Sequence, residues 1–299
     1  MRRTWRAASA ALAGGAALAA TMLSLSPAQA ATTGPTAAVP PAPSPVLSGA
    51  WVNTNHATRS TEDLVVAATA RGITVDGFGA CAPTACEWGR IPAIAYGPSA
   101  GAAIGTSFAA QWDFGFARTV VEASYAAPKK VPTLTVREFT TFTDGSTRAN
   151  YSVTETFTKG APVAVTRTGT SAVDYPLGDS VSPDPALPAV WINPASTGNV
   201  RAVILTRTAS GALQVHAYGY CSPVPCSWGS VGGVVFGTSI AATTGSTFLA
   251  PYKFNFAEKL IDGSLNGAGT QLTLRTWTEF TDHSGRSNYL TTENLVPLR

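Results

Sequence analysis

Four cysteines, three histidines and two Arg/Glu pairs near the ends of matching segments are the side chains best able to carry chemistry in this chain. Cys81 and Cys86 repeat, at the same Cys-x4-Cys spacing, as Cys221 and Cys226. In an exported protein that spacing predicts two local disulfides, each stapling one loop. A zinc site would need two pairs converging or added histidines, and a redox device usually shows Cys-x-x-Cys, so no metal and no cofactor is expected. Arg137 precedes Glu155 as Arg275 precedes Glu293. If the turn between them centres near Ser146, each arginine faces its glutamate across a hairpin. Such a pair either closes the fold or orients a ligand. A register slip of one residue would put the partners on opposite faces.

These groups belong to a module present twice. An offset of 140 places Trp51 on Trp191, Cys81 on Cys221, Cys86 on Cys226, Trp88-Gly89 on Trp228-Gly229 and Phe108, Phe114 and Phe116 on Phe248, Phe254 and Phe256. After a two-residue deletion the offset is 138, and Arg137, Thr143-Asp144, Arg148, Asn150-Tyr151 and Glu155 meet Arg275, Thr281-Asp282, Arg286, Asn288-Tyr289 and Glu293. None of the histidines is shared: His56 meets Ser196, His216 meets Asp76 and His283 meets Gly145. A duplicated Ser-His-Asp or Cys-His device is therefore excluded, and no Gly-rich phosphate loop is present. Trp88 and Trp228, two residues past a cysteine, are the clearest recognition candidates beside Arg137, Glu155, Arg275 and Glu293. For the two tryptophans, packing of the cysteine loop is the competing role.

Alternation of period two dominates both copies. Phe108, Ala110, Trp112, Phe114 and Phe116, answered by Phe248, Ala250, Tyr252, Phe254 and Phe256, fall on one face of a strand and would scatter around a helix. The ladder is read as core filling before ligand binding. No amphipathic helix of about ten residues is visible. The spacing predicts strands near 49–53, 62–69, 72–79, 87–95, 106–114, 117–125, 132–143 and 149–158 in the first copy. Closing such a meander removes its two exposed edges. The expected fold is all-β: two tandem repeat modules, each an eight-stranded antiparallel meander barrel, with a β-sandwich as the alternative.

Leu47-Ser48-Gly49-Ala50-Trp51-Val52-Asn53 resembles the opening strand of avidin-type barrels, which carries Gly-x-Trp-x-Asn; lipocalins open with a similar Gly-x-Trp. The resemblance implies a calycin-type barrel in which Trp51 and Trp191 are structural. The second copy departs from it, Leu187-Pro188-Ala189-Val190-Trp191 lacking the glycine, and the later biotin-contacting pattern is absent from both. The Cys-x-Pro-x-x-Cys-x-Trp-Gly loop is similar to one in uncharacterised secreted bacterial proteins, a likeness that implies no activity.

Arg2, Arg3 and Arg6 precede an Ala/Leu-rich stretch ending in Ala28-Gln29-Ala30, the pattern of a cleaved secretory signal peptide. That stretch holds Gly14-Gly15, Thr21 and Pro27, so it does not make the ~20 unbroken apolar residues of a membrane anchor. Removing those three arginines from the 20 Lys+Arg leaves 17 against 17 Asp+Glu. A neutral chain without basic runs has no electrostatic reason to bind nucleic acid or an anionic membrane. The expected organisation is a signal peptide at 1–30, a Pro/Ala/Thr linker at 31–46, a first barrel at 47–159, a Pro-rich linker at 160–186 and a second barrel at 187–299. Proline-rich connections are extended and semi-rigid, so two beads on a string is the natural picture, with a fused interface between the modules as the alternative.

The function expected is that of a secreted, extracellular, non-catalytic tandem binder, with a small molecule or a cell-wall glycan as partner. Duplication without a shared catalytic set suits avidity. The alternative is a structural or inhibitor-like protein-interaction module with no ligand cavity. An extracellular hydrolase ranks last, since it would need carboxylates or a histidine clustered in one copy.

Overall fold

Hydrogen-bonding edges are what the alternation leaves unsolved, and the chain solves them by closure. The computed structural model describes residues 42–43, 46–69, 72–81, 84–127, 131–161, 166–167 and 181–298. The segment expected to be a signal peptide and most of both expected linkers lie outside them.

In the first copy the strands are β1 (Gly49–Asn53), β2 (Thr61–Thr69), β3 (Gly72–Gly79), β4 (Cys86–Tyr96), β5 (Ser107–Asp113), β6 (Ala117–Ala126), β7 (Thr133–Phe142) and β8 (Tyr151–Lys159). Each pairs antiparallel with the next, and β8 returns to β1 through Phe157↔Asn53 and Lys159↔Trp51. The second copy repeats this with β9 (Val190–Ile192), β10 (Val200–Arg207), β11 (Leu213–Gly219), β12 (Cys226–Phe236), β13 (Thr247–Lys253), β14 (Ala257–Leu265), β15 (Leu272–Phe280) and β16 (Tyr289–Pro297), closed by Trp191↔Pro297. Two closed eight-stranded antiparallel barrels thus follow one another in an all-β chain, and the sandwich alternative falls away.

Inward positions are filled as the alternation requires up to the strand ends at Asp113 and Lys253; beyond them Phe116 and Phe256, expected on the same core-filling face, are exposed, because the chain turns there. Phe108, Ala110 and Trp112 are buried in the first barrel, and Phe248, Ala250 and Tyr252 in the second. Each aromatic ring removed from water supplies roughly 1.5–3 kcal/mol. Trp51 and Trp191 are fully buried, and each indole N–H donates to a carbonyl four residues back, Leu47 at 2.8 Å and Leu187 at 3.0 Å. Those bonds satisfy the only polar atom of a ring otherwise spent on packing. The structural role expected of both tryptophans is the one they have. The predicted disulfides Cys81–Cys86 and Cys221–Cys226 are both formed.

The two-bead picture gives way to a joined pair. Outward-facing Tyr96 meets Trp277 edge-on with centroids 4.9 Å apart, and Phe139 meets Phe236 at 5.2 Å. Under the offsets of the repeat these two contacts are one contact made twice. Backbone bonds obey the same relation: Gly97 N donates to Asn288 O (2.8 Å) and Leu290 N to Gly97 O (3.0 Å), while Gly237 N donates to Asn150 O (2.9 Å) and Ser152 N to Gly237 O (2.9 Å). Val120, Val234 and Leu249 join Phe139 and Phe236 in an apolar cluster. The interface is therefore isologous, a two-fold dimer contact made within one polypeptide.

Candidate functional site

The β7–β8 hairpin has Arg137 opposite Thr154 and Glu155 opposite Val136, and β15–β16 has Arg275 opposite Thr292 and Glu293 opposite Leu274. The register is one residue away from the expected Arg137–Glu155 and Arg275–Glu293 pairing, so arginine and glutamate point to opposite faces. Both arginines face outward into the contact between barrels. There Arg137 donates to Asp262 and, at 2.6 Å, to Ser264 Oγ, and Arg275 reaches the same Asp262 oxygen at 3.3 Å. Glu122, the counterpart of Asp262, completes the cluster. Burial and the adjacent Asp262 carboxylate push its carboxyl well above the usual range, against the opposite pull of Arg137. These arginines fasten the barrels together.

Both glutamates face inward. Glu155 accepts from Asn53 Nδ2 at 2.7 Å and Thr58 Oγ1 at 2.5 Å. Glu293 accepts from the backbone amides of Asn199 and, at 3.1 Å, Val200, and burial raises its pKa. Each lies near the mouth that Trp88 or Trp228 overhangs. Trp88 leans edge-on against Trp112 (5.5 Å) and Phe114 (5.4 Å), and Trp228 against Tyr252 (5.7 Å) and Phe254 (5.8 Å). The indoles rest on Gly79 and Gly219, where a β-carbon would strike the ring nitrogen. Gly77 gives way to Ala217 where the bulkier Trp112 gives way to Tyr252, and a β-carbon at Gly77 would lie 3.0 Å from Trp112. Gly79→Ala is expected to displace Trp88, cost about 1–3 kcal/mol by overpacking and shift the tryptophan emission. An unchanged emission spectrum would refute this seating.

The mouth of the first barrel holds a pocket of about 320 Å³. Trp88, Phe114, Phe116, Phe142 and Tyr151 line it, with Arg59 and Arg148 at the rim and Ile240 of the second barrel closing one side. The rim arginine is held in place: Arg148 donates to Asp144 Oδ2 at 2.5 Å and lies 4.0 Å from the centroid of the Phe142 ring. Arg286, Asp282 and Phe280 repeat that arrangement at 2.6 and 3.8 Å.

At the floor of this pocket lies a residue that comparison of the repeats passes over, Glu138. It is 1% exposed, Ser60 Oγ donates to its Oε2, and its Oε1 has no protein hydrogen-bond partner. Burial pushes its carboxyl up to about 7, Ser60 and Thr61 pull it back, and the nearby Glu155 adds to the rise. The counterpart in the second barrel is Thr276. The converse exchange occurs one strand away, where Thr119 of β6 matches Lys259 of β14, for Thr119 pairs with Thr140 as Lys259 pairs with Thr278. Lys259 points into the second mouth, donates to Asn199 Oδ1 at 3.0 Å and places its ammonium 4.4 Å from the Trp228 ring centroid. Burial lowers its pKa to about 8, opposed by Glu293. No cluster of three or more metal-ligating side chains occurs among the described residues.

No family model matches the chain, and no curated protein is similar to it. A search of solved structures aligns 84% of the chain with 99% of a Bacteroides fragilis protein provisionally named a 6-phosphogluconolactonase, at 11% identity and a TM-score of 0.11. A likeness that slight carries no argument about fold or activity.

Proposed function

We propose that the chain is an exported small-molecule binding protein whose first barrel takes its ligand at the mouth, between the Trp88 and Phe114 wall and the Glu138 floor. The observation that carries this reading is the buried Glu138 carboxyl, one oxygen of which lacks a partner, among the residues that line an aromatic pocket. An unpaired buried carboxyl costs stability, and a ligand donor is what would repay it. A pocket mostly apolar with a few placed polar groups is the ordinary form of such a site. Two disulfides suit an oxidising, extracellular setting. The eight-stranded closure and the Gly-x-Trp opening support a calycin-like ancestry. The second barrel, with Lys259 across its mouth, fits a structural partner, so one ligand per chain replaces the avidity of two.

Incubation of the purified chain with a small-metabolite extract and a glycan panel, followed by native mass spectrometry, tests this. One small molecule retained per chain and a raised melting temperature are expected. Retention of polymeric glycan alone, or neither retention nor a thermal shift, would overturn it.

A further inference from the structure

We infer that the ligand of the first barrel is a primary amine, and that Lys259 is the second barrel's built-in copy of it. The inference rests on the binding-site reading above and names its ligand class. In the second mouth the Lys259 ammonium meets Asn199, the Trp228 ring and, at 5.9 Å, the Tyr289 ring. The matching positions of the first mouth are Ser60, Trp88 and Tyr151, and all three line its pocket. Register places Ser60 where Asn199 stands, because Thr61 pairs with Gly79 as Val200 pairs with Gly219.

What differs is the source of the cation. Thr119 ends in a hydroxyl 3.0 Å from Thr140 Oγ1, so no protein ammonium enters the first mouth from this position. The same barrel exchanges the neutral Thr276 for Glu138. The second mouth therefore balances Lys259 against Glu293, whereas the first directs Glu138 and Glu155 inward, with Arg148 already committed to Asp144 and Arg59 exposed at the rim. Anions are repelled by that pair. A neutral donor satisfies Glu138 Oε1 but leaves its charge uncompensated. An ammonium does both and also lies against an indole face, where cation–π attraction adds to the ion pair. The aromatic wall then accepts the apolar body of an alkyl or arylalkyl amine.

The test is calorimetric titration at pH 8 with butylamine, phenethylamine and cadaverine beside the matching alcohols, on the whole chain. Amine binding at one per chain is expected, about tenfold or more tighter than the alcohol, as for a charge-assisted over a neutral hydrogen bond. Below pH 7 protonation of Glu138 competes, and affinity should fall by up to about tenfold per pH unit; Glu155, Arg59, Arg148 and Tyr151 are the other ionisable groups around it. Thr119→Lys should supply the cation from within and abolish amine binding while the melting temperature holds or rises. The reciprocal pair Lys259→Thr with Thr276→Glu, if it melts cooperatively, should raise the stoichiometry to two. Alcohols binding as tightly as amines would sink the amine assignment and leave the pocket reading standing. No binding of either series would sink both. Undiminished amine binding by a folded Thr119→Lys variant, or a stoichiometry still at one in the reciprocal pair, would overturn Lys259 as the surrogate.

Discussion

Glu138→Gln is expected to stabilise the unliganded protein at pH 8 by about 3 kcal/mol while removing its affinity for amines. The folded carboxyl titrates near 7, against an ordinary value of 4.5. A pKa raised in the folded state means that folding favours the protonated form, so the native chain holds more protons than the unfolded one between those two values. Stability from this group is thus intact below pH 4.5, declines as pH rises and is lost once pH passes 7. At ~1.36 kcal/mol per unit, the full penalty is about 3 kcal/mol. Glutamine has the same shape and cannot ionise, so the penalty disappears. Urea unfolding of both proteins at pH 4 and pH 8 measures this. A stability difference that does not grow between those pH values would show that Glu138 is not held protonated by burial.

Arg137→Met should be among the most damaging single changes in the chain, at about 3–5 kcal/mol, because it leaves the fully buried Asp262 carboxylate short of its nearer cation. Glu122→Gln, a few ångströms away in the same cluster, should be nearly neutral, within about 1 kcal/mol. Burial and Asp262 both push the Glu122 carboxyl up, towards the protonated form that an amide imitates. The same unfolding assay at neutral pH compares the two. Equal losses for both variants would mean that Glu122 carries its charge, and that the cluster is two ion pairs instead of two arginines, one carboxylate and one carboxylic acid.

The strands were legible because an alternation of period two is a local property, and because the duplication let each strand be read twice. Trp51 and Trp191, the first three residues of the Phe108 and Phe248 ladders and both disulfides followed from the same two signals, whereas Phe116 and Phe256 lie exposed past the strand ends. The hairpin register did not. Asn150 Oδ1 accepts from the Phe142 amide, and Asp144 Oδ1 from the Ser146 amide, across a connection longer than a two-residue turn. No spacing rule fixes the register of such a loop, and a slip of one residue turned Arg137 away from Glu155 and into the interface. Glu138 was missed for a different reason. Comparing repeats selects what they share, whereas the distinctive groups, Glu138 against Thr276 and Lys259 against Thr119, are where the copies part. Their signal was present as a charged residue at an inward position in one copy only, and it becomes readable once the strand faces are known.

The two-fold contact between the barrels bears on how such a difference could arise. In an assembly of two identical subunits, every substitution is suffered on both sides at once, and a buried carboxyl that weakens one half weakens the other equally. Joining the halves in one polypeptide lifts that symmetry. One half is then free to keep the sturdier interior and steady its neighbour through the shared face, while the neighbour carries an unfavourable group that the pair as a whole can tolerate.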